Sequence, residues 1–189
     1  MNKPQLIDLI AKTTNTLNES VGKSKTANRM VGELSESKYN YNILESNESG
    51  DERDKNINVN KVNSQNPKES FWEGGGNIFW NPTGNKEETY EQPPNGRVLS
   101  VLGKRPEINL LHELAHAWDN MAGLLADITI KYRGLEVYEW TAVRTENMIR
   151  KEMGLPLRTH YGVIKNNGGP EYPNLLDLNC NYLYDKYKH

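Results

Sequence analysis

One cysteine, Cys180, stands in 189 residues, so no disulfide can form within the chain. That excludes a disulfide-stapled scaffold and fits a reducing compartment, or a fold that needs no staple. No long apolar run exists, which excludes a transmembrane span. Near the N-terminus the apolar pairs Leu6-Ile7 and Leu9-Ile10 are split by Asp8. No conventional signal peptide is therefore expected, and secretion would need a specialised route or an upstream carrier. Hydrophobic residues make up only 35% and mean hydropathy is −0.82, so burial within the single expected domain is thin. Net charge is −2 with no block of like charge. Nothing in that balance points to nucleic acid or to a membrane surface as a partner.

Against this polar background, His112-Glu113-Leu114-Ala115-His116 reads H-E-x-x-H inside a helical pattern. Residues four apart share one helix face, with Cβ atoms about 5–6 Å apart, so both imidazoles can reach one cation. Glu113 lies about 100° around the helix from His112. There it can accept a proton from an attacking water without taking a coordination position. Pro106 and Glu107 suit a first turn, and Gly123 suits a position just past the last one. Ile108, Leu111, Ala115, Trp118 and Ala122 recur at spacings of three and four, which predicts an amphipathic, largely buried helix. The plainer alternative is a surface helix that happens to carry two histidines and a glutamate. Burial disfavours it, because buried imidazoles need a reason and a zinc ion supplies one.

A catalytic zinc usually takes three protein ligands and keeps one position open. The pattern H-E-x-x-H-x-x-G-x-x-H is excluded, since Asp119 and Ala122 stand where it needs Gly and His. The third ligand is expected from a second helix over Leu135 to Lys151. Glu136 and Glu139 there are i, i+3 neighbours, and spacing alone does not choose between them. One can bind the metal while the other orients a histidine. Asp119, one turn beyond His116, is either a partner to an imidazole N–H or a solvated carboxylate.

The rest of the chain reads as α+β. A helix is expected from Pro4 to about Val21. Tyr39 to Lys68, rich in asparagine and charge, reads as a solvent-facing hairpin or a mobile loop. Gly74-Gly75-Gly76 reads as a flexible turn, because a phosphate loop would need a lysine and a following helix. Ile78-Phe79-Trp80 reads as a buried strand, Tyr90 to Gly96 as loop, and Val98 to Leu102 as a short strand. Asn166 to Pro173 reads as a turn-rich loop, and Tyr182 to Tyr187 fall on a polar tail. The expected architecture is a small, twisted, mostly antiparallel sheet beside the H-E-x-x-H helix and a second ligand-bearing helix. An extended peptide could add to an edge strand of that sheet. Residues 1–70, the N-terminal helix and the polar region, are expected to belong to the same domain as a metallopeptidase core over residues 71–189.

Three stretches carry a family resemblance. They are H-E-L-A-H-A-W-D-N-M-A-G from His112 to Gly123, E-W-T-A-V from Glu139, and T-E-N-M-I-R-K-E-M-G-L-P-L-R-T-H-Y from Thr145 to Tyr161. Together they resemble the NleD-type zinc metalloproteases, found as type III secreted effectors and as C-terminal domains of bacterial polymorphic toxins. Asn77 to Pro82 is similar to the strand before the zinc helix in the toxin members. The resemblance spans about Gly74 to Gly162, with none in the first seventy residues. Tyr138 and Arg144 depart from it, where effector members carry an acidic residue and a glycine.

The resemblance implies a zincin-like fold and puts Glu139 ahead of Glu136 as the third ligand. Arg158 and Tyr161 are similar to an R-x-x-Y pair in clostridial neurotoxin proteases that stabilises the oxyanion. It further implies a monomeric, secreted zinc endopeptidase that cleaves a protein in the target-cell cytoplasm, with a cognate immunity protein as a possible partner. Two rival readings are a zinc amidase or peptidoglycan hydrolase, and an inactive module that sequesters a partner. An intact Glu113 argues against the second, since an inactive site has no need of that base.

Overall fold

The stripe of Ile108, Leu111 and Ala115 is the axis around which the other elements pack. A computed structural model describes residues 3–47, 49–53, 56–57, 71–84, 88–92, 99–102, 105–126, 130–161, 164–165, 169–170 and 175–176. The helices are α1 (Lys3–Lys23), α2 (Lys25–Ser35), α3 (Pro106–Met121) and α4 (Val137–Glu152). The strands before α3 are β1 (Tyr41–Glu45), β2 (Gly50–Arg53), β3 (Asn56–Ile57), β4 (Phe71–Glu73), β5 (Gly76–Trp80), β6 (Glu88–Gln92) and β7 (Leu99–Leu102). Those after it are β8 (Leu125–Ala126), β9 (Lys131–Tyr132), β10 (Leu135–Glu136), β11 (Leu157–Arg158), β12 (Ile164–Lys165) and β13 (Gly169–Pro170). Among the described residues no helix is long and apolar enough to cross a membrane.

Helix α3 starts and stops where its residues require. Pro106 sits in the first turn, where its missing N–H costs nothing, and Glu107 complements the dipole. The helix ends at Gly123, whose φ is 64°. The Gly123 N–H bonds the Asn120 carbonyl, and the Leu124 N–H bonds the Asp119 carbonyl at 2.8 Å. This closing pattern needs a left-handed residue, the conformation glycine adopts without penalty. Helix α4 closes the same way, with Leu155 N–H on the Arg150 carbonyl at 2.8 Å.

Burial of α3 is wider than an amphipathic stripe. Ile108, Leu110, Leu111, Leu114, Ala115 and Ala117 all join one core with Ile78 and Trp80 of β5, Ala27 and Met30 of α2, and Ala142 and Ile149 of α4. Polar anchors run beside it: the Trp80 indole donates to the Pro106 carbonyl at 2.8 Å, and the Asn120 amide donates to the Gly74 carbonyl at 3.0 Å. A second, smaller core of Leu135, Trp140, Val143, Leu175 and Leu176 receives Tyr132, Leu157 and Tyr161 at its margin.

The strands form five small sheets among the described residues rather than one. Strand β5 lies between β1, which it pairs in parallel through Ile43 and Ile78, and β2, which it pairs antiparallel through Asp51 and Ile78. The expected hairpin or loop over Tyr39 to Lys68 is therefore corrected in its described portion: β1 and β2 flank β5 instead of pairing with each other. The register is set by a strand far along the chain, which local alternation does not register. Strand β6 takes in Tyr90 to Gln92, part of the expected loop, because β7 and β11 pair with it on either side. Strand β13 likewise falls inside the expected loop over Asn166 to Pro173. The expected strand over Val98 to Leu102 corresponds to β7. Tyr182 to Tyr187 lie outside the described residues.

The triple glycine is not a flexible turn. Gly74 and Gly75 are buried, and a Cβ on Gly75 would overlap the Asn40 carbonyl oxygen. The Tyr41 hydroxyl bonds the carbonyls of both Gly74 and Ala117. The glycines let β1 approach the chain leading into β5, a close contact that only a missing side chain permits.

Helix α2 is joined to the core at both ends of its chemistry. Ser24 caps it by accepting from the Ala27 N–H at 3.0 Å. Glu152, at the end of α4, accepts from the Ser24 hydroxyl (2.6 Å), the Thr26 N–H (2.9 Å) and the Thr26 hydroxyl (3.0 Å). A carboxylate at a helix N-terminus is favoured by the exposed N–H groups there. Because Met30 is fully buried, Met30→Ala is expected to cost about 2–5 kcal/mol of stability. Urea unfolding with an unchanged midpoint would place α2 outside the cooperative unit.

Candidate metal centre

Helix α3 presents His112 and His116 one turn apart, with ring centroids 5.0 Å apart and ring planes nearly perpendicular. Glu139 comes from the first turn of α4. One oxygen of its carboxylate lies 3.3 Å from His112 Nε2 and 3.2 Å from His116 Nε2. The three ligand atoms all fall within 4.8 Å of one another. Two imidazole nitrogens and a carboxylate oxygen that converge so closely need a cation or protons between them, since otherwise lone pairs face lone pairs. The set fits a metal held by N and O donors.

Behind His112 stands Glu146. Its carboxylate accepts from His112 Nδ1–H at 2.9 Å, which fixes the tautomer that leaves Nε2 facing Glu139. The same carboxylate accepts from Arg150 Nε at 2.7 Å and from Arg158 Nη1 at 3.0 Å. Burial would raise the Glu146 pKa, but Arg158 and Arg150, with the His112 hydrogen bond, hold it well below the usual carboxylate range. Glu139 is also held well below that range: burial opposes ionisation, and His116 and His112 outweigh it. Burial opposes protonation of His112, yet hydrogen bonds to Glu139 and Glu146 and the charge of Glu113 push its pKa up to about 10.

Tyr161 closes the site from the side of β11. Its ring lies 6.1 Å from the His112 ring and its hydroxyl bonds Glu139. The Arg158 guanidinium stacks on the Tyr161 ring at 4.7 Å while its Nε donates to the His160 carbonyl. Burial, followed by the Glu139 charge, raises the Tyr161 pKa well above its ordinary value and keeps the phenol protonated. Glu113 is buried, and its charge acts on both His112 and Tyr161.

The structure thus brings His112, His116, Glu139 and Tyr161 together, with Arg158 beside them and Glu113 within electrostatic reach. Glu136 does not join them. It ends β10, just before α4 begins at Val137, and pairs with Lys131 at 2.7 Å across the β9–β10 hairpin. The expectation that Glu136 and Glu139 share a helix face fails because the helix starts between them. Asp119 is not the partner of His116 either. It lines a groove of about 370 Å³ with Arg29, Glu33, Trp118 and Arg144, while His116 Nδ1 has no hydrogen-bond partner among the described residues. Tyr138 instead meets the His116 ring edge-on at 5.3 Å.

Sequence reasoning missed Glu146, Asn147 and Arg150 as site residues. The Asn147 amide donates to the Arg158 carbonyl at 2.9 Å and accepts the Arg158 N–H at 2.7 Å. A signal was available: Glu139, Glu146 and Arg150 are spaced by seven and four, so they share one face of a helix.

A family model for Peptidase_M91, described as an effector protein, matches residues 11–139, about two thirds of the chain. The match takes in most of the first seventy residues, where no resemblance was read, and ends before Thr145 to Tyr161. No curated protein and no solved structure matches the chain significantly.

These charges predict how the metal-free protein responds to pH. His112 has a raised pKa, so its contribution is complete below about 6.5 and is lost as pH rises through about 10. Glu139 and Glu146 have depressed values, so theirs is present above 4.5 and is lost as pH falls. In chelator, the melting temperature should fall from pH 6.5 toward pH 10 and again below pH 4.5. A flat alkaline limb would mean that His112 carries no proton between the two carboxylates.

Proposed function

The chain belongs to the Peptidase_M91 effector family, and from that premise we propose that it is a zinc-dependent endopeptidase, delivered as an effector, that cleaves a protein of the cell it enters. The observation that carries this reading is the meeting of His112 Nε2, His116 Nε2 and a Glu139 oxygen at one buried point. A His₂Glu set is a known donor set for catalytic zinc. When bound, zinc supplies Lewis acidity toward the scissile carbonyl and lowers the pKa of water.

The chain's own residues do the rest. Glu113 accepts the proton of the attacking water and passes it to the leaving amine. Its side chain is held in low-dielectric surroundings, where a proton transfer is not diverted by bulk water. Tyr161 donates its hydroxyl to the oxyanion as the carbonyl becomes tetrahedral. Its raised pKa keeps that proton available. The hydroxyl bonds Glu139, one of the residues that would hold a cation. Arg158 adds positive charge behind the donor, through the face of the Tyr161 ring.

The test compares new protein N-termini in a lysate treated with wild type or with Glu113→Gln. Glutamine keeps shape but cannot accept the proton, so cleavage should fall by about 10²–10⁴ with zinc retained. His116→Ala should lose zinc, because two of three ligands hold it poorly. Equal cleavage by wild type and Glu113→Gln, or stoichiometric zinc in His116→Ala, would sink the reading.

A further inference from the structure

Two halves of this site come from different parts of the chain. The histidines lie on α3, whereas Arg158 and Tyr161 lie on and just after β11. One carboxylate touches both. Glu146 takes His112 Nδ1–H on the same oxygen that takes Arg158 Nη1, at 2.9 and 3.0 Å. Its other oxygen takes Arg150 Nε, and Arg150 Nη1 donates to the Pro156 carbonyl at 3.1 Å, just before β11. The next residue, Asn147, bonds both the N–H and the carbonyl of Arg158. Two consecutive α4 residues therefore grip the side chain and backbone of Arg158, and one of them also grips a histidine.

We propose that Glu146 is a positioning residue that couples the two halves, so that holding a cation at His112 and holding Tyr161 in place are one event. The proposal rests on the metal reading above. A neutral amide at position 146 would accept from His112 less strongly and would leave the buried Arg150 and the partly buried Arg158 without their anion. His112 would lose its fixed tautomer. Arg158 would lose the partner that aims its guanidinium at the Tyr161 ring. A purely structural Glu146 predicts lower stability and nothing more, since a folded molecule would then bind zinc as before.

The experiment measures zinc affinity by chelator competition, and amide hydrogen exchange over residues 157–161 with and without zinc. In the wild type, zinc should slow exchange of that segment although none of its residues is a proposed ligand. Glu146→Gln should weaken zinc binding by about 10–100-fold, as expected for the loss of a ligand's hydrogen-bond partner. It should also abolish the zinc-dependent slowing. Should Glu146→Gln not fold, Arg158→Lys keeps the charge but cannot serve Glu146 and Tyr161 together. It should weaken zinc binding in the same direction, by less. A wild type that binds no zinc would overturn the metal reading itself. Wild-type zinc affinity in both variants, or zinc that leaves the exchange of 157–161 unchanged in wild type, would overturn the coupling alone.

Discussion

The site depends on the burial of a single ionised carboxylate. Glu146 is 1% exposed and could not stay charged without Arg150, Arg158 and His112 around it. Taking such a charge out of water costs several kcal/mol, and removing one partner of a buried pair typically costs about 3–5 kcal/mol. The cluster is therefore poor as a source of stability and strong as a source of geometry. It tolerates one arrangement of α3, α4 and β11, in which three donors converge on two oxygens. Any slip of α3 or β11 takes one of those donors away from the buried charge.

The two histidines are held by different means. His112 is oriented by an ionic hydrogen bond from behind. His116 has no partner at Nδ1 among the described residues and relies on the packing of a largely buried helix, with Tyr138 against its ring. This asymmetry follows from α4. The helix passes His112 with Glu146, but near His116 it offers only its first turn, where Tyr138 and Glu139 stand. Elsewhere along α3 the Asn120 amide donates to the Gly74 carbonyl and the Trp118 indole donates to the Glu33 carboxylate. The wide burial of α3 is thus compatible with its many polar residues.

Much of the donor set was legible in the sequence, because H-E-x-x-H encodes helix geometry directly. The helix over Pro106 to Met121 and the strand at Ile78 to Trp80 were legible for the same reason: local spacing decides them. Spacing alone did not choose between Glu136 and Glu139, a choice that the family resemblance made, since it turns on where a hairpin stops and a helix starts, and a three-residue spacing cannot show that boundary. Glu146 was visible as a letter of T-E-N without a role, because its partners come from positions 112 and 158. The triple glycine was misread on similar grounds. Its reason is the carbonyl of Asn40, thirty-five residues away in sequence, and composition alone cannot distinguish a close approach from a loose turn. Helix α2 was missed because its N-terminal partner, Glu152, lies 128 residues from Ser24 in the sequence.

One helix carries both the third donor and the group that orients the first. Glu139 and Glu146 are seven residues apart, about 700° of rotation and so about 20° short of two full turns. They lie on one stripe of α4 facing α3, with Arg150 a further turn along it. Shifting the register of α4 by one residue would swing that stripe by about 100° and remove Glu139 and Glu146 from the site together. The Trp140 indole bonded to the Tyr132 carbonyl at 3.1 Å sets the start of the helix, and the Leu155 N–H bonded to the Arg150 carbonyl sets its end. The rotation of α4 is consequently fixed from both ends by contacts that involve none of the three clustered donors. That is why a centre of three ligand atoms needs the hairpin before the helix and the turn after it.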